Sequence, residues 1–518
     1  MSLWQASKSV GEEEFVAKSQ GATLDFVIRR VMILEVVSLI VIISLIWFLK
    51  TSYERRGMPP GPFPLPLIGN LHLILHDDMP FSAEKFREKY GDIFTIALPT
   101  ENIVMINDTA TAREALLTQK DIFHGRIPDV VYPLNEILEG KDVMAIDLNP
   151  EYRLRRKAMN MALHIFGEGK KAANENINDQ LDEFFMAIEK LDGQPFYPPE
   201  ILERSIASHL WRWVTCKTDN ISDGTADKLL DFNRTFFGLV YSGPLYRLVP
   251  ILKYFPTKHV LTVEYVKRRL HELFVTETIE HEKTYQEGKD RDIMDSLLAF
   301  CIKLGLKTDC VSFLSADIIL AGADTTGTFF VWFLLYMILN QDLQRKLQAE
   351  VDTVLQDDEI LQWNDFNKLP YLQATACEIM RHSYFVPLSL PHNPMQETHL
   401  QGFRIPKGTT VFFNYHCIHR DERVWQNPSE FNPDRFLDES GKFVGWRVKP
   451  GFMPFGIGTR SCPGEVLLRA QILIFTSGML KRYTFEVNKD EPLPTLERGA
   501  AAGKFQPKPY KVIARKRK

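Results

Sequence analysis

The chain has 518 residues, 45% hydrophobic and 25% charged, with a formal net charge of −4, enough material to bury a large core. That balance gives no global basic field, and beyond the short Arg515 to Lys518 tail there is no block of like charge, which argues against nucleic acid as a partner. Six scattered cysteines (Cys216, Cys301, Cys310, Cys377, Cys417 and Cys462), with no C-x-x-C pair and no H-E-x-x-H helix, argue against a disulfide framework and a zinc site and point to a reducing compartment.

Residues 1–30 read as an N-terminal tail. Glu12, Glu13 and Glu14 distinguish it from an Arg-rich transit peptide. Residues 31–49, VMILEVVSLIVIISLIWFL, give close to 30 Å of apolar helix at about 1.5 Å per residue, with Trp47 at the edge, and predict a retained transmembrane anchor. Arg29 and Arg30 precede it and Lys50, Arg55 and Arg56 follow, so charge does not orient it. Residues 50–66 form a basic and Pro-rich linker, with Pro59, Pro60, Pro62, Pro64 and Pro66 favouring a stiff extended segment. Residues 67–518, without repeats or a further composition shift, are predicted to be one catalytic domain. Asn-x-Ser/Thr triplets at Asn107, Asn220 and Asn233 are expected to be unmodified.

Apolar residues recur at helical spacing over 171–190, 262–287, 312–340, 341–356 and 464–482. Short β-rich runs occupy 93–98, 102–107 and 409–414. The expected class is mainly α with small β-sheets. The run 232–255 is apolar and aromatic enough to roof a lipophilic pocket or touch a membrane, and core packing explains it nearly as well.

In the middle of the 312–340 pattern stands Ala321-Gly322-Ala323-Asp324-Thr325-Thr326-Gly327. Two glycines, two threonines and an acid are costly inside a helix, so a close ligand explains them better than core contact. The Thr325 hydroxyl can bond back to the Ala321 carbonyl and loosen one turn. Glu378 and Arg381 follow at i, i+3, and Pro433-Asp434-Arg435-Phe436 lies downstream. The segment 455–465, FGIGTRSCPGE, holds three glycines around Cys462, then Pro463 and a helical run. It presents a cysteine at a helix start, where backbone N–H groups and the helix dipole favour a thiolate and Arg460 adds a cation. A nucleotide-binding loop would need a third glycine at a spacing absent here.

On these residues the chain resembles the haem-thiolate monooxygenases, the cytochrome P-450 superfamily. Phe455, Gly458, Arg460, Cys462 and Gly464 match F-x-x-G-x-R-x-C-x-G at every fixed position, with the family-like Gly456 in addition, and 321–326 match [A/G]-G-x-[D/E]-T-[T/S]. The order of motifs across roughly 59–510 is similar to the animal microsomal branch, and 378–387 with 427–436 looks closest to the aryl-hydrocarbon and steroid-oxidising group.

The resemblance implies the cytochrome P-450 fold after one transmembrane helix, and haem b (iron protoporphyrin IX) with Cys462 as axial ligand to the iron. It places Asp324 and Thr325 in proton delivery to dioxygen, with Gly322 keeping the haem face open. Arg156, His392 and Arg460 fall where the family holds the haem propionates. Tyr152 stands where tryptophan is usual, and Arg126 is a further candidate. Glu378, Arg381 and Arg435 are implied to form a buried network bracing the cysteine loop.

The implied reaction inserts one oxygen atom from O2 into a lipophilic substrate: a steroid, polycyclic aromatic, fatty acid or xenobiotic. No flavin or pyridine-nucleotide motif is present, so electrons from NADPH would arrive through a separate flavoprotein reductase, with cytochrome b5 a further partner. Arg153, Arg155 and Lys157, or Lys442, Arg447 and Lys449, are candidates for docking it. The implied location is the endoplasmic reticulum membrane, with a single-pass N-terminal anchor and the catalytic domain cytoplasmic. The alternatives are an isomerase or dehydratase of the same fold acting on hydroperoxides without a reductase, and a non-catalytic haem or lipid-binding protein; neither needs Asp324 and Thr325.

Overall fold

The run of apolar residues from Val31 to Leu49 forms a helix whose side chains are mostly exposed, Leu34 at 64% and Ile46 at 61%, a surface suited to lipid and costly in water. The helix spans Arg30–Glu54, so it continues five residues past the apolar run into the predicted linker. Lys50 and Glu54 pair across that last turn at 3.8 Å. The Trp47 indole N–H donates to the Pro99 carbonyl at 3.2 Å, and Phe48 meets Phe63 with ring centroids 5.6 Å apart. The computed structural model describes residues 30–76, 82–126, 132–167, 181–217, 224–356, 361–383, 385–499 and 506–517. The predicted tail, Arg30 apart, and the 171–180 part of the first predicted helix lie outside the described residues; 181–189 is helical.

The proline stretch lies across the first sheet. Thr95 N–H donates to the Pro60 carbonyl at 2.8 Å, and a side chain at Gly61 would collide with the Thr95 carbonyl. That sheet joins β1 (Ile93–Ala97) antiparallel to β2 (Asn102–Ile106), and β2 parallel to β5 (Thr410–Phe413), with Ile103 opposite Thr410. Hairpin β3–β4 (Thr398–Leu400, Phe403–Ile405) turns through Gln401 and Gly402, both at positive φ, and β6 (Tyr483–Val487) pairs antiparallel with β7 (Val512–Lys516).

Helices make up the rest. The central one, Val311–Leu339, packs against Pro198–Thr215, Pro370–His382 and Glu465–Arg482, so a single 29-residue element touches most of the core. The 262–287 pattern is three joined pieces, Lys258–Leu270, a π turn His271–Val275, and Thr276–Thr284. It starts early because Thr257 caps it, accepting the Val260 N–H at 3.3 Å. The 232–255 run divides between its two readings. Phe232, Phe236 and Leu239 on Thr225–Leu248 are core, whereas Ile251, Tyr254 and Phe255 around the 3-10 turn Pro250–Tyr254 are exposed.

Candidate active site

From Val311 to Ile338 every residue of the central helix is buried except four: Ala321 is exposed, and Gly322, Asp324 and Thr325 partly so. Ala321, Asp324 and Thr325 share one face by their i, i+3, i+4 spacing, so accessible space meets the helix at its middle. Thr325 Oγ1 donates to the Ala321 carbonyl at 2.7 Å, the back-bond its position predicts. At Gly322 a Cβ would meet Leu210 Cδ1 at 3.0 Å, so the space it saves lets helix Pro198–Thr215 approach.

Cys462 is exposed although burial pushes its thiol above the ordinary range. Both hold when the sulfur lines interior space. The Gly464 N–H and Arg156 act in the opposite direction, favouring the thiolate. The loop that presents it is fixed by Cys462 N–H donating to the Phe455 carbonyl at 2.8 Å, with Phe455 itself buried. Gly456 and Gly458 sit at φ of +64° and +78°, and a Cβ at Gly458 would stand 2.1 Å from the Leu116 carbonyl oxygen. No other residue type fits there.

Arg460 does not serve the sulfur, as its place in the sequence suggested. It turns the other way, donating to the carbonyls of His124 at 2.8 Å and Ile146 at 2.9 Å, with its guanidinium 4.0 Å over the Tyr152 ring. Arg126 donates to the carbonyls of Pro391 at 2.7 Å and Met144 at 3.4 Å, and Arg156 to that of Ser461. None of these three arginines forms an ion pair among the described residues. Burial, and then the Arg460 charge, bring Arg126 down to about 9, and burial lowers Arg460 as well, with Arg156 adding to the effect. Uncompensated cations in a dry site call for an anion. The Tyr152 hydroxyl is buried beside them, close to Arg460 and without a hydrogen bond of good geometry among the described residues. His392, also buried, is held well below its ordinary pKa by burial and by Arg126, so it is neutral, and its Nδ1–H donates to the Phe123 carbonyl at 2.7 Å. The cluster thus holds three cations and one neutral ring.

Glu378 and Arg381 are fully buried and meet through two bonds of 2.7 Å. Arg435 Nε reaches Glu378 Oε1 at 3.4 Å and the Asn432 N–H donates to it at 2.8 Å. His419, which no motif marks, carries this brace to the cysteine. Arg381 donates to the His419 carbonyl at 2.8 Å, His419 Nε2 accepts the Met453 N–H at 3.0 Å, and the Met453 carbonyl accepts the Gly456 N–H at 3.0 Å. Burial keeps His419 neutral, as that accepting role requires.

Of the basic residues considered for docking, Arg153, Lys157 and Lys442 are exposed, and Lys449 is half-buried. Arg155 is not available. It is buried, donating to the Gly140 carbonyl at 2.6 Å and to Glu151 at 2.7 Å. Arg447 is paired with Glu465.

Comparison with known proteins adds the following. Residues 59–514 match the family model "Cytochrome P450". The chain is 31% identical to cytochrome P450 2D6 of Pan paniscus over 499 residues, covering 92% of this chain and 98% of that one. It is 29% identical to the steroid 17-alpha-hydroxylase/17,20 lyase of Squalus acanthias over 510 residues, covering 94% and 98%. A zebra fish cytochrome P450 structure with progesterone superposes with a TM-score of 0.76 at 27% identity, covering 85% of this chain and 100% of that one.

Proposed function

The chain belongs to the cytochrome P450 family and is a monooxygenase, and from that premise we propose that Cys462 would ligate the iron of a haem b and that Arg126, Arg156 and Arg460 would hold its propionates. The observation that carries this is the pairing of an accessible cysteine on a two-glycine loop with three guanidiniums, Arg126 buried and Arg156 and Arg460 partly buried, that form no ion pair among the described residues. Propionates supply the missing anions, and Tyr152 offers a free hydroxyl to the same groups. His392, whose Nδ1–H is given to the Phe123 carbonyl, would join them only when its second ring nitrogen is also protonated, which a bound propionate favours. Haem ligated by a thiolate supplies oxygen activation by favouring O–O cleavage.

The remaining chemistry belongs to this chain's own residues. Thr325, tied back to the Ala321 carbonyl, holds one turn of the helix loosened and presents its hydroxyl oxygen at the opening. Asp324 stands beside it on the same face and passes protons inward from solvent. Ala321 adds a small apolar wall, leaving room for a bulky substrate. Glu378, Arg381, Arg435 and His419 take no part in the chemistry; they hold the cysteine loop still. A proton-relay pair at the opening distinguishes this reading from a hydroperoxide isomerase, which needs none.

The substrate we propose is a lipophilic molecule, a steroid in the first instance, because similarity extends to a steroid hydroxylase and to a progesterone-bound structure. Electrons come from NADPH through a separate flavoprotein reductase, with cytochrome b5 as a second donor. Arg153 and Lys157 are the exposed cations beside the clamp. The apolar Arg30–Glu54 helix supports anchoring in the endoplasmic reticulum membrane with the catalytic domain on the cytoplasmic side. The test is reconstitution in lipid vesicles with a flavoprotein reductase, NADPH and isotopically labelled dioxygen, offering progesterone, a polycyclic aromatic and a fatty acid in turn. A product carrying one labelled oxygen is expected. Turnover of a hydroperoxide without reductase, and no labelled product, would contradict the proposal.

A further inference from the structure

Two carboxyl groups that the reaction does not use lie close to the arginine cluster. Asp317 is on the central helix one turn before Ala321, and Asp142 is in the loop that leads to helix Pro150–Gly167. Both are buried, at 4% and 0% exposure. Asp317 Oδ2 accepts the Val143 N–H at 2.8 Å and Asp142 Oδ1 accepts the Ala145 N–H at 2.5 Å. Their other oxygens, Asp317 Oδ1 and Asp142 Oδ2, are buried with no partner, and neither carboxyl is in an ion pair among the described residues.

Burial pushes both groups above the carboxylate range, and the charge of Asp142 pushes Asp317 further. Two carboxylates in a dry site without a contacting cation do not both ionise. A proton on one turns an orphan acceptor into a donor, and the other orphan oxygen can accept it.

What the pair holds is the support of the clamp. Between Asp142 and Leu148 the Val143 and Ile146 carbonyls receive Arg460, the Met144 carbonyl receives Arg126 Nε, and Asp147 Oδ1 accepts the Arg126 backbone N–H at 3.1 Å. Val143 is thus bonded on both sides: its N–H to Asp317 on the central helix, its carbonyl to Arg460. The fold has no reason of stability to leave two buried carboxyls there, since apolar residues of similar size would cost less.

We propose that Asp142 and Asp317 share one proton and together latch the 142–147 loop to the central helix, making them positioning residues for the Arg126 and Arg460 clamp. The latch rests on the reading of those arginines as propionate partners. The charged groups that face it are Arg156, Asp147, Arg126 and Arg460, with His124 behind Arg460; burial holds His124 and His392 below their ordinary value, so neither titrates above it. The folded protein binds more protons here than the unfolded chain. The latch is therefore complete at low pH and weakens as pH rises above the ordinary Asp range.

The experiment measures haem release from the full-length holoprotein to an excess of apo-globin, between about pH 6 and about pH 8, together with the infrared carbonyl stretch of protonated carboxyls. Wild type should show that stretch and release haem several-fold faster at the upper pH. Asp142→Asn, which supplies an amide donor in place of the shared proton, should lose the stretch and release haem slowly at both. Asp317→Ala frees the Val143 N–H and should release haem about tenfold faster at the lower pH, as should Arg460→Ala. No carboxyl stretch in wild type, or the wild-type pH slope in Asp142→Asn, overturns the latch. So does wild-type release from Asp317→Ala while Arg460→Ala is fast. Wild-type release from Arg460→Ala sinks the clamp reading, and the latch with it. Should Asp317→Ala fail to fold, the slopes of wild type and Asp142→Asn still decide.

Discussion

Two groups of buried and partly buried arginines flank the cysteine loop, and they are built on opposite principles. At the brace, Arg381 and Arg435 close on Glu378, and every remaining donor of Arg381 finds a backbone carbonyl, those of His419, Pro428 and Glu430. At the clamp, Arg126, Arg156 and Arg460 bond to carbonyls and to no carboxylate, and Arg126 and Arg460 are depressed by burial and by a neighbouring arginine. In the first region the two cations share a carboxylate supplied by the chain itself. The second balances only when something else brings negative charge. A buried cation with its own carboxylate is architecture, and buried cations without one mark a binding site.

The largest break in that comparison comes from unbalancing the brace. Glu378→Ala leaves Arg381 buried and uncompensated, a loss of about 3–5 kcal/mol, and should give little folded protein in thermal or denaturant unfolding. At the clamp the same kind of change acts on the ligand and spares the fold: Arg460→Ala should keep the helical circular dichroism of the wild type but retain haem about tenfold less tightly. If Arg460→Ala unfolded the chain as Glu378→Ala does, the two regions would not differ in kind.

Thr325→Ala touches neither group. It should leave haem content unchanged and lower labelled product at least about tenfold, while NADPH oxidation continues and peroxide is released. Smaller again is Tyr152→Phe, which removes a hydroxyl with no hydrogen bond among the described residues and should change thermal stability by less than about 1 kcal/mol without haem, and by more with it.

The sequence made some of this legible and hid the rest for physical reasons. The central helix is placed within a residue at each end, because a long apolar run ending at Asn340 has no competing pattern. Thr325's back-bond could be foreseen because it is local, four residues along one helix. Arg381 pairs at i, i+3, but only the structure shows it fully buried. What stayed hidden is long-range. His419 joins Arg381 to Met453 through backbone groups, which leave no trace in residue type. Asp142 and Asp317 stand 175 positions apart and looked like ordinary polar residues. Arg155 was misread because its partner, the Gly140 carbonyl, is a backbone group contributed by a loop. At Gly322 a glycine says that something comes close but not what, and here Leu210 does.

The most direct test of the central claim is the absorption spectrum of the dithionite-reduced protein under carbon monoxide, beside that of Cys462→Ser. Thiolate ligation predicts a strongly red-shifted Soret band in the wild type that is lost in the variant. A band typical of histidine-ligated haem in the wild type, or one unchanged by the substitution, would contradict it.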